Sequence, residues 1–243
     1  MKVVKVDATS STNSFLKDFV KSHSKKQIYC VVAHHQIEGR GQRGTSWVSE
    51  PGKNLTFSVY LPELKSIHND TFKLSALVAL AIKNVLVKYD IPKLSIKWPN
   101  DILSHQHKIG GILIENMITQ NKEGASVVGV GLNVNQDHFS GLPKASSMKL
   151  MSNTSFDLDD LLNDLLVEFE KIPNLFNSTS LKSILSTYYD SLFKYNKVTM
   201  LQFPDGTLAQ GLIRGIDNHG KLVVEFDEDR LESFDIKEIQ IKF

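Results

Sequence analysis

From Phe72 to Tyr89 the apolar residues Leu74, Leu77, Val78, Ala81, Val85 and Leu86 keep helical spacing, and Pro92 follows the end of the pattern. Four short apolar runs come next, Leu94 to Trp98, Ile102-Leu103, Ile109 to Glu115 and Ser126 to Leu132, parted by Pro-Asn-Asp, Ser-His-Gln-His and Asn-Lys-Glu-Gly turns. A long core helix followed by closely spaced strands predicts an α+β fold, with a mixed or antiparallel sheet joined by hairpins and helices packed on it.

Upstream, Val3 to Val6 reads as a strand, and Ser11 or Thr12 caps a helix whose apolar face is Phe15, Leu16, Phe19 and Val20. Ile28 to Ala33 and Leu55 to Leu61 read as strands, the second preceded by the turn Pro51-Gly52-Lys53-Asn54. Asp157-Leu158-Asp159-Asp160 opens a later helix with acids at its positive end, and another helix covers Leu181 to Leu192. From Lys197 onward apolar and polar residues alternate, with turns at Pro204-Asp205-Gly206 and Asn218-His219-Gly220. That tail predicts a small β-barrel, so the expected domains are 1–194 and 195–243.

Between two of the strands lies Gln36-Ile37-Glu38-Gly39-Arg40-Gly41-Gln42-Arg43-Gly44-Thr45-Ser46-Trp47. Glycines let backbone N–H groups approach an anion, and guanidinium groups add bidentate donors, so such a loop can wrap a phosphate. It lacks the Gly-Lys-Ser/Thr of a Walker A loop and the Rossmann fingerprint. Alone, it reads first as a basic surface turn.

Ser11-Thr12-Asn13, Lys97-Trp98-Pro99-Asn100-Asp101, Lys108-Ile109-Gly110-Gly111-Ile112-Leu113-Ile114-Glu115 and Gly129-Val130-Gly131-Leu132-Asn133-Val134-Asn135 accompany the loop. Together and in this order, the five segments resemble the biotin protein ligases. The likeness extends through Leu142-Pro143 with Ala145-Ser146-Ser147-Met148 and through Arg214 to Gly220, so it covers nearly the whole chain. It implies a catalytic domain like that of class II synthetases and a carboxy-terminal barrel of SH3 type. It implies two half-reactions, in which biotin and ATP form biotinyl-5′-AMP and the biotinyl group then passes to a lysine of a biotin carboxyl carrier protein domain of a carboxylase.

The resemblance carries residue roles with it. Arg40 and Lys108 are expected to bring the biotin carboxylate and the α-phosphate together, with Mg²⁺ bound to the triphosphate. Ser11, Thr12, Asn13 and Gln36 are expected to meet the polar ureido ring, with Gly39, Gly41, Gln42, Gly110 and Gly111 close to biotin. Arg43, Trp47, Asn100, Asp101 and Asn133 join Arg40 and Lys108 on the nucleotide side, Asn133 reading the adenine edge and Asp101 serving as a metal ligand. Trp98 is expected to pack in the core. The loop from Gly39 to Trp47 is expected to be mobile without ligand.

With 41% hydrophobic and 23% charged residues and a formal net charge of +1, the chain does not suit long nucleic-acid contacts. No DNA or membrane partner is expected; a homodimer is open. With the Ser-Thr-Asn motif at residue 11, no DNA-binding domain is expected ahead of it. No apolar run is long enough for a span and no secretory signal is present, so a cytoplasmic protein is expected. Cys30, the only cysteine, reads as a buried structural thiol, and His34-His35 and His105 with His107 as strand-end or turn residues. Lys242 reads first as a solvated terminal lysine, although biotin protein ligases often place a cation there. The sequence speaks against two other readings: a lipoate ligase, whose arginine-serine-glycine-rich signature is absent, and a nucleic-acid module using the basic loop and barrel, which the balanced charge and the accompanying motifs do not suit.

Gln42 stands where an arginine is frequent in biotin protein ligases. An amide donates a hydrogen bond but does not compensate a phosphate charge. Gln42→Arg is therefore expected to slow escape of the adenylate, measured as its release rate from the loaded enzyme; an identical rate would refute this.

Overall fold

The computed structural model describes residues 1–118, 123–227 and 230–242; the side chains of Arg43, Ile118 and Glu123 also lie outside that description. Seven strands form the larger sheet: β1 (Lys2–Thr9), β2 (Tyr29–Gln36), β3 (Leu55–Lys65), β4 (Leu94–Lys97), β5 (Asp101–Ser104), β6 (His107–Ile118) and β7 (Glu123–Leu132). Their order is β1-β2-β3-β7-β6-β5-β4, with β1 parallel to β2 and every other pair antiparallel. The expected mixed sheet is present. Part of the Asn-Lys-Glu-Gly turn lies outside the described residues.

Strand alternation divides the side chains between two layers. Cys30, Phe57, Val59, Leu61, Val128, Val130 and Leu132 point into the main core beneath α2 (Thr71–Lys88), α4 (Leu158–Phe169) and α5 (Ile172–Ser178). Tyr29, Val31, Tyr60, Ala125 and Val127 point the other way, into a smaller core closed by Leu16 and Val20, in and just after α1 (Thr12–Phe19). Helix α2 is buried nearly all round because the sheet covers one side and α4, α5 and α6 (Leu181–Tyr189) cover the other. Ser11 caps α1 and Asp157 caps α4, the latter accepting from Asp159 N and Asp160 N.

Two short helices, α3 (Met148–Ser152) and α5, add to the expected set, and α6 ends at Tyr189 rather than Leu192. Both short helices evade periodicity because they span two turns or fewer, and Pro173 in the first turn of α5 imitates a breaker.

The tail forms β8 (Val198–Gln202), β9 (Leu208–Ile216), β10 (Leu222–Phe226), β11 (Arg230–Phe234) and β12 (Gln240–Lys242), antiparallel in the order β11-β10-β9-β8-β12. It is tied to the larger sheet. Trp98, 5% exposed, donates its indole N–H to Gly220 O at 2.9 Å, and the Tyr189 hydroxyl lies 3.1 Å from Ile216 N and 3.2 Å from Ile216 O. Leu201, Ile213 and Leu222 of the tail belong to the main core. Residue 194 thus divides two sheets without dividing the packing. Among the described residues no helix is long and apolar enough to cross a membrane.

Cys30 is fully buried, and burial pushes its thiol up to about 12. A disulfide-exchange reagent is expected to label it only at the rate of unfolding; rapid labelling of the native chain would contradict this placement.

Candidate active site

The register of β6 against β7 sets Gly111 opposite Gly131 and Leu113 opposite Gly129, on the same face as Ser58 and Thr56 of β3. Three glycines side by side leave bare backbone where other strands carry side chains. A cavity of about 340 Å³ opens above this floor.

At one end lie Ser11, Thr12, Asn13 and Gln36. Ser11 Oγ accepts Ser14 N–H at 3.4 Å, so one residue both caps a helix and lines the cavity. Gln36 Oε1 accepts Thr12 N–H at 2.8 Å, and Ser58 Oγ stands 2.7 Å from Thr12 Oγ1 and 2.6 Å from Asn13 Oδ1. Asn13 lies flat on the floor: a methyl group on Gly129 would fall 2.4 Å from its Oδ1.

The glycine-arginine loop forms the roof as a small hairpin. Arg40 bridges to Ser46, Gly41 N–H donates to Thr45 O at 2.7 Å, and Trp47 N–H donates to Gly39 O at 2.9 Å. Gly39 has to be glycine, since a Cβ there would lie 2.1 Å from Trp47 O. The Trp47 indole rests on the floor, where a Cβ on Gly131 would lie 2.3 Å from its ring. Lys108 Nζ is 5.7 Å from that ring's centroid, within cation–π range.

Lys108 Nζ pairs with Asp101 Oδ1 at 2.6 Å. Asn100 Nδ2 donates to Ile112 O at 2.8 Å, which fixes the Pro99-Asn100-Asp101 turn against β6. The surroundings of Asp101 are cationic. Burial pushes the Lys97 ammonium down; Asp101 opposes that, and the charges of Lys108, Lys144 and Lys242 add to it. Lys242 thus contributes to the positive field on this side of the molecule.

A second cavity, about 410 Å³, adjoins the first and shares Ser46, Trp47 and Lys108 with it. Val48, Phe139, Leu142 and Pro143 make it apolar, and Asn133 stands in its wall. Asn133 Nδ2 donates to Ser146 O at 2.9 Å, whereas its Oδ1 is buried with no hydrogen-bond partner among the described residues. The strap after β7 returns to Lys108, whose N–H donates to Lys144 O at 2.7 Å while its carbonyl accepts Ser146 N–H at 2.9 Å.

Arg40, Gly41, Gln42, Trp47, Asn100, Asp101, Lys108 and Gly111 therefore line one cavity with Ser11, Thr12, Asn13 and Gln36. Gly110 does not: strand alternation turns it toward Leu132 and Ile102 in the core. Gly39 stands at the base of the hairpin, outside the cavity lining, and Asn133 belongs to the second cavity. The Arg43 side chain falls outside the described residues. Ser58, Glu115, Ile236 and Gln240 were not anticipated. Alternation on β3 could have pointed to Ser58, but the two tail residues reach the site through tertiary packing alone. Among the described residues no three His, Cys, Asp or Glu side chains are close enough to hold a metal.

The Biotin/lipoate A/B protein ligase family profile matches residues 6–133, and that of the biotin protein ligase C-terminal domain matches residues 197–240. This chain belongs to the biotin/lipoate A/B protein ligase family. Among curated proteins, it is 29% identical over 219 residues to the bifunctional ligase/repressor BirA of Escherichia coli, covering 89% of this chain and 67% of that one. It is 27% identical over 224 residues to the biotin–[acetyl-CoA-carboxylase] ligase of Mycobacterium tuberculosis, covering 90% and 82%. The biotin protein ligase of Aquifex aeolicus, solved with biotin and ATP, superposes with a TM-score of 0.78 at 21% identity, covering 99% and 98%. The α+β fold with its separate tail sheet is thus shared with that ligase.

In this family member, Gly131→Ala is expected to lift Trp47 off the floor. The indole emission should shift to the red against the constant background of buried Trp98; an unchanged spectrum would contradict the packing.

Proposed function

We propose that the chain is an ATP-dependent ligase that activates biotin as biotinyl-5′-AMP and transfers the biotinyl group to a lysine of a biotin carboxyl carrier protein domain. The observation that carries this reading is the position of Lys108 where two unlike cavities meet. One has a polar end suited to a ureido ring; the other is apolar with a buried amide oxygen suited to the 6-amino group of adenine.

With biotin in the first cavity and the nucleoside in the second, the biotin carboxylate meets the α-phosphate beside Lys108 and beneath Arg40. The attack brings an anion onto a polyanion, so positioned cations lower the barrier. The carboxylate oxygen bonds to phosphorus as the bond to the β-phosphate oxygen breaks, and pyrophosphate leaves. Arg40 and Lys108 neutralise the charge that builds on the transferred group, and Asp101 keeps the Lys108 ammonium aimed at it. In the second step the carrier lysine attacks the acyl carbon of the adenylate, AMP leaves with the acyl–oxygen electron pair, and the new amide sheds a proton. Neither step needs a nucleophile from the protein.

The chain's own carboxylates do not form a metal cage: Asp101 is paired with Lys108, and no three-residue ligand group exists among the described residues. Mg²⁺ fits this site as a companion of the triphosphate, for which Asp101 supplies at most one ligand; bound there it screens the phosphate charge. ATP consumption and one buried, unpaired thiol fit a cytoplasmic enzyme.

Lys108→Ala is expected to lower biotinyl-adenylate formation by on the order of a hundredfold or more, the scale of losing one oriented charge at a reacting centre. The unfolding midpoint should change little. Single-turnover formation of the adenylate checks this, and an unchanged rate removes Lys108 from the mechanism.

A further inference from the structure

The polar end of the first cavity is ordered by a carboxylate that stands outside its wall. Glu115 projects from β6 toward α1, which grips it twice: Asn13 Nδ2 donates to Oε2 at 2.7 Å, and Lys17 Nζ pairs with Oε1. Residues four apart share one helical face, so the two prongs arrive together. Burial pushes the Glu115 carboxyl up, but hydrogen bonds from Lys17 and Asn13 and the charges of Lys17 and Arg40 outweigh it and hold the group below the usual carboxylate range. An ionised carboxylate only accepts.

From that end the direction of every proton follows. With its amide nitrogen committed to Glu115, Asn13 must turn its Oδ1 toward Ser58, 2.6 Å away. Ser58 has one proton and two oxygens within reach, Asn13 Oδ1 and, at 2.7 Å, Thr12 Oγ1. An amide oxygen cannot donate, so Ser58 gives its proton to Asn13, and the Thr12 hydroxyl gives its own to Ser58. Gln36 Oε1, 3.1 Å from Thr12 Oγ1, receives the Thr12 backbone N–H instead. Lone pairs on Thr12 Oγ1 and Gln36 Oε1 thus remain to accept from a ligand.

We propose that Glu115 is a positioning residue for biotin: by fixing the amide of Asn13, it sets Thr12 and Gln36 as hydrogen-bond acceptors for the two ureido N–H groups. This inference rests on the biotin reading above and extends it to specificity. A dithiolane ring, as in lipoate, has no N–H to give and gains nothing from acceptors aligned in this way.

Glu115→Gln keeps the size of the side chain but lets Asn13 turn either way. Calorimetric titration of the full chain with biotin, with desthiobiotin, which keeps the ureido group but lacks the thioether ring, and with ATP tests the inference. In E115Q, biotin and desthiobiotin should each weaken by about tenfold or more and by the same factor, the scale of losing oriented buried hydrogen bonds, with ATP affinity unchanged. Ser58→Ala, which breaks the relay but leaves Glu115 and Lys17 in place, should reproduce that pattern and serves where E115Q does not fold. Unchanged biotin affinity in the variants, or equal weakening of biotin and ATP, would overturn the inference. A wild-type chain that bound no biotin would overturn the functional reading together with it, whereas wild-type binding with unchanged variants overturns this inference alone.

Discussion

The site depends on a strip of sheet with no side chains. Gly111 opposite Gly131, with Gly129 two residues along, clears a floor on which Asn13 and Trp47 lie flat. A Cβ at Gly129 or Gly131 would fall within 2.4 Å or 2.3 Å of those side chains, so neither position admits one without displacing the group above it. Removing side chains from a buried sheet forfeits packing, and that loss is confined to one face at one end. On the opposite face Val128, Val130 and Leu132 continue the main core without interruption.

Around that floor the charges are placed by rigid elements. Lys108 and Asp101 come from neighbouring strands, Asn13 and Lys17 from one helix, and Arg40 from a hairpin closed by its own backbone hydrogen bonds. Lys108 and Lys17 are each held by a carboxylate before any anion arrives, so less of their reorganisation is left for the moment of reaction. The same economy shows in Ser11, which caps α1 and lines the cavity. The tail sheet is part of this arrangement, since Ile236 and Gln240 reach the first cavity and Trp98 ties the two sheets together.

Much of this was legible in the sequence. The seven strands and long helices announced themselves because their apolar positions repeat over enough residues to be seen, and the motif segments come together in one cavity. What was hidden depended on strand phase or on tertiary contact. Gly110 and Gly111 look alike in sequence, but a period of two sends one to the core and the other to the site. Glu115 gave no separate signal because its partners, Asn13 and Lys17, lie about a hundred residues away. Asn133, expected on the nucleotide side, stands in the adjoining cavity, which Trp47 and Lys108 also line.

The central claim is that the point where the two cavities meet joins a carboxylate to an α-phosphate. Exchange of labelled pyrophosphate into ATP, catalysed by the wild-type chain, tests it most directly. The account requires exchange that depends on biotin and is absent with lipoate. Exchange without biotin, or with lipoate in its place, would contradict it.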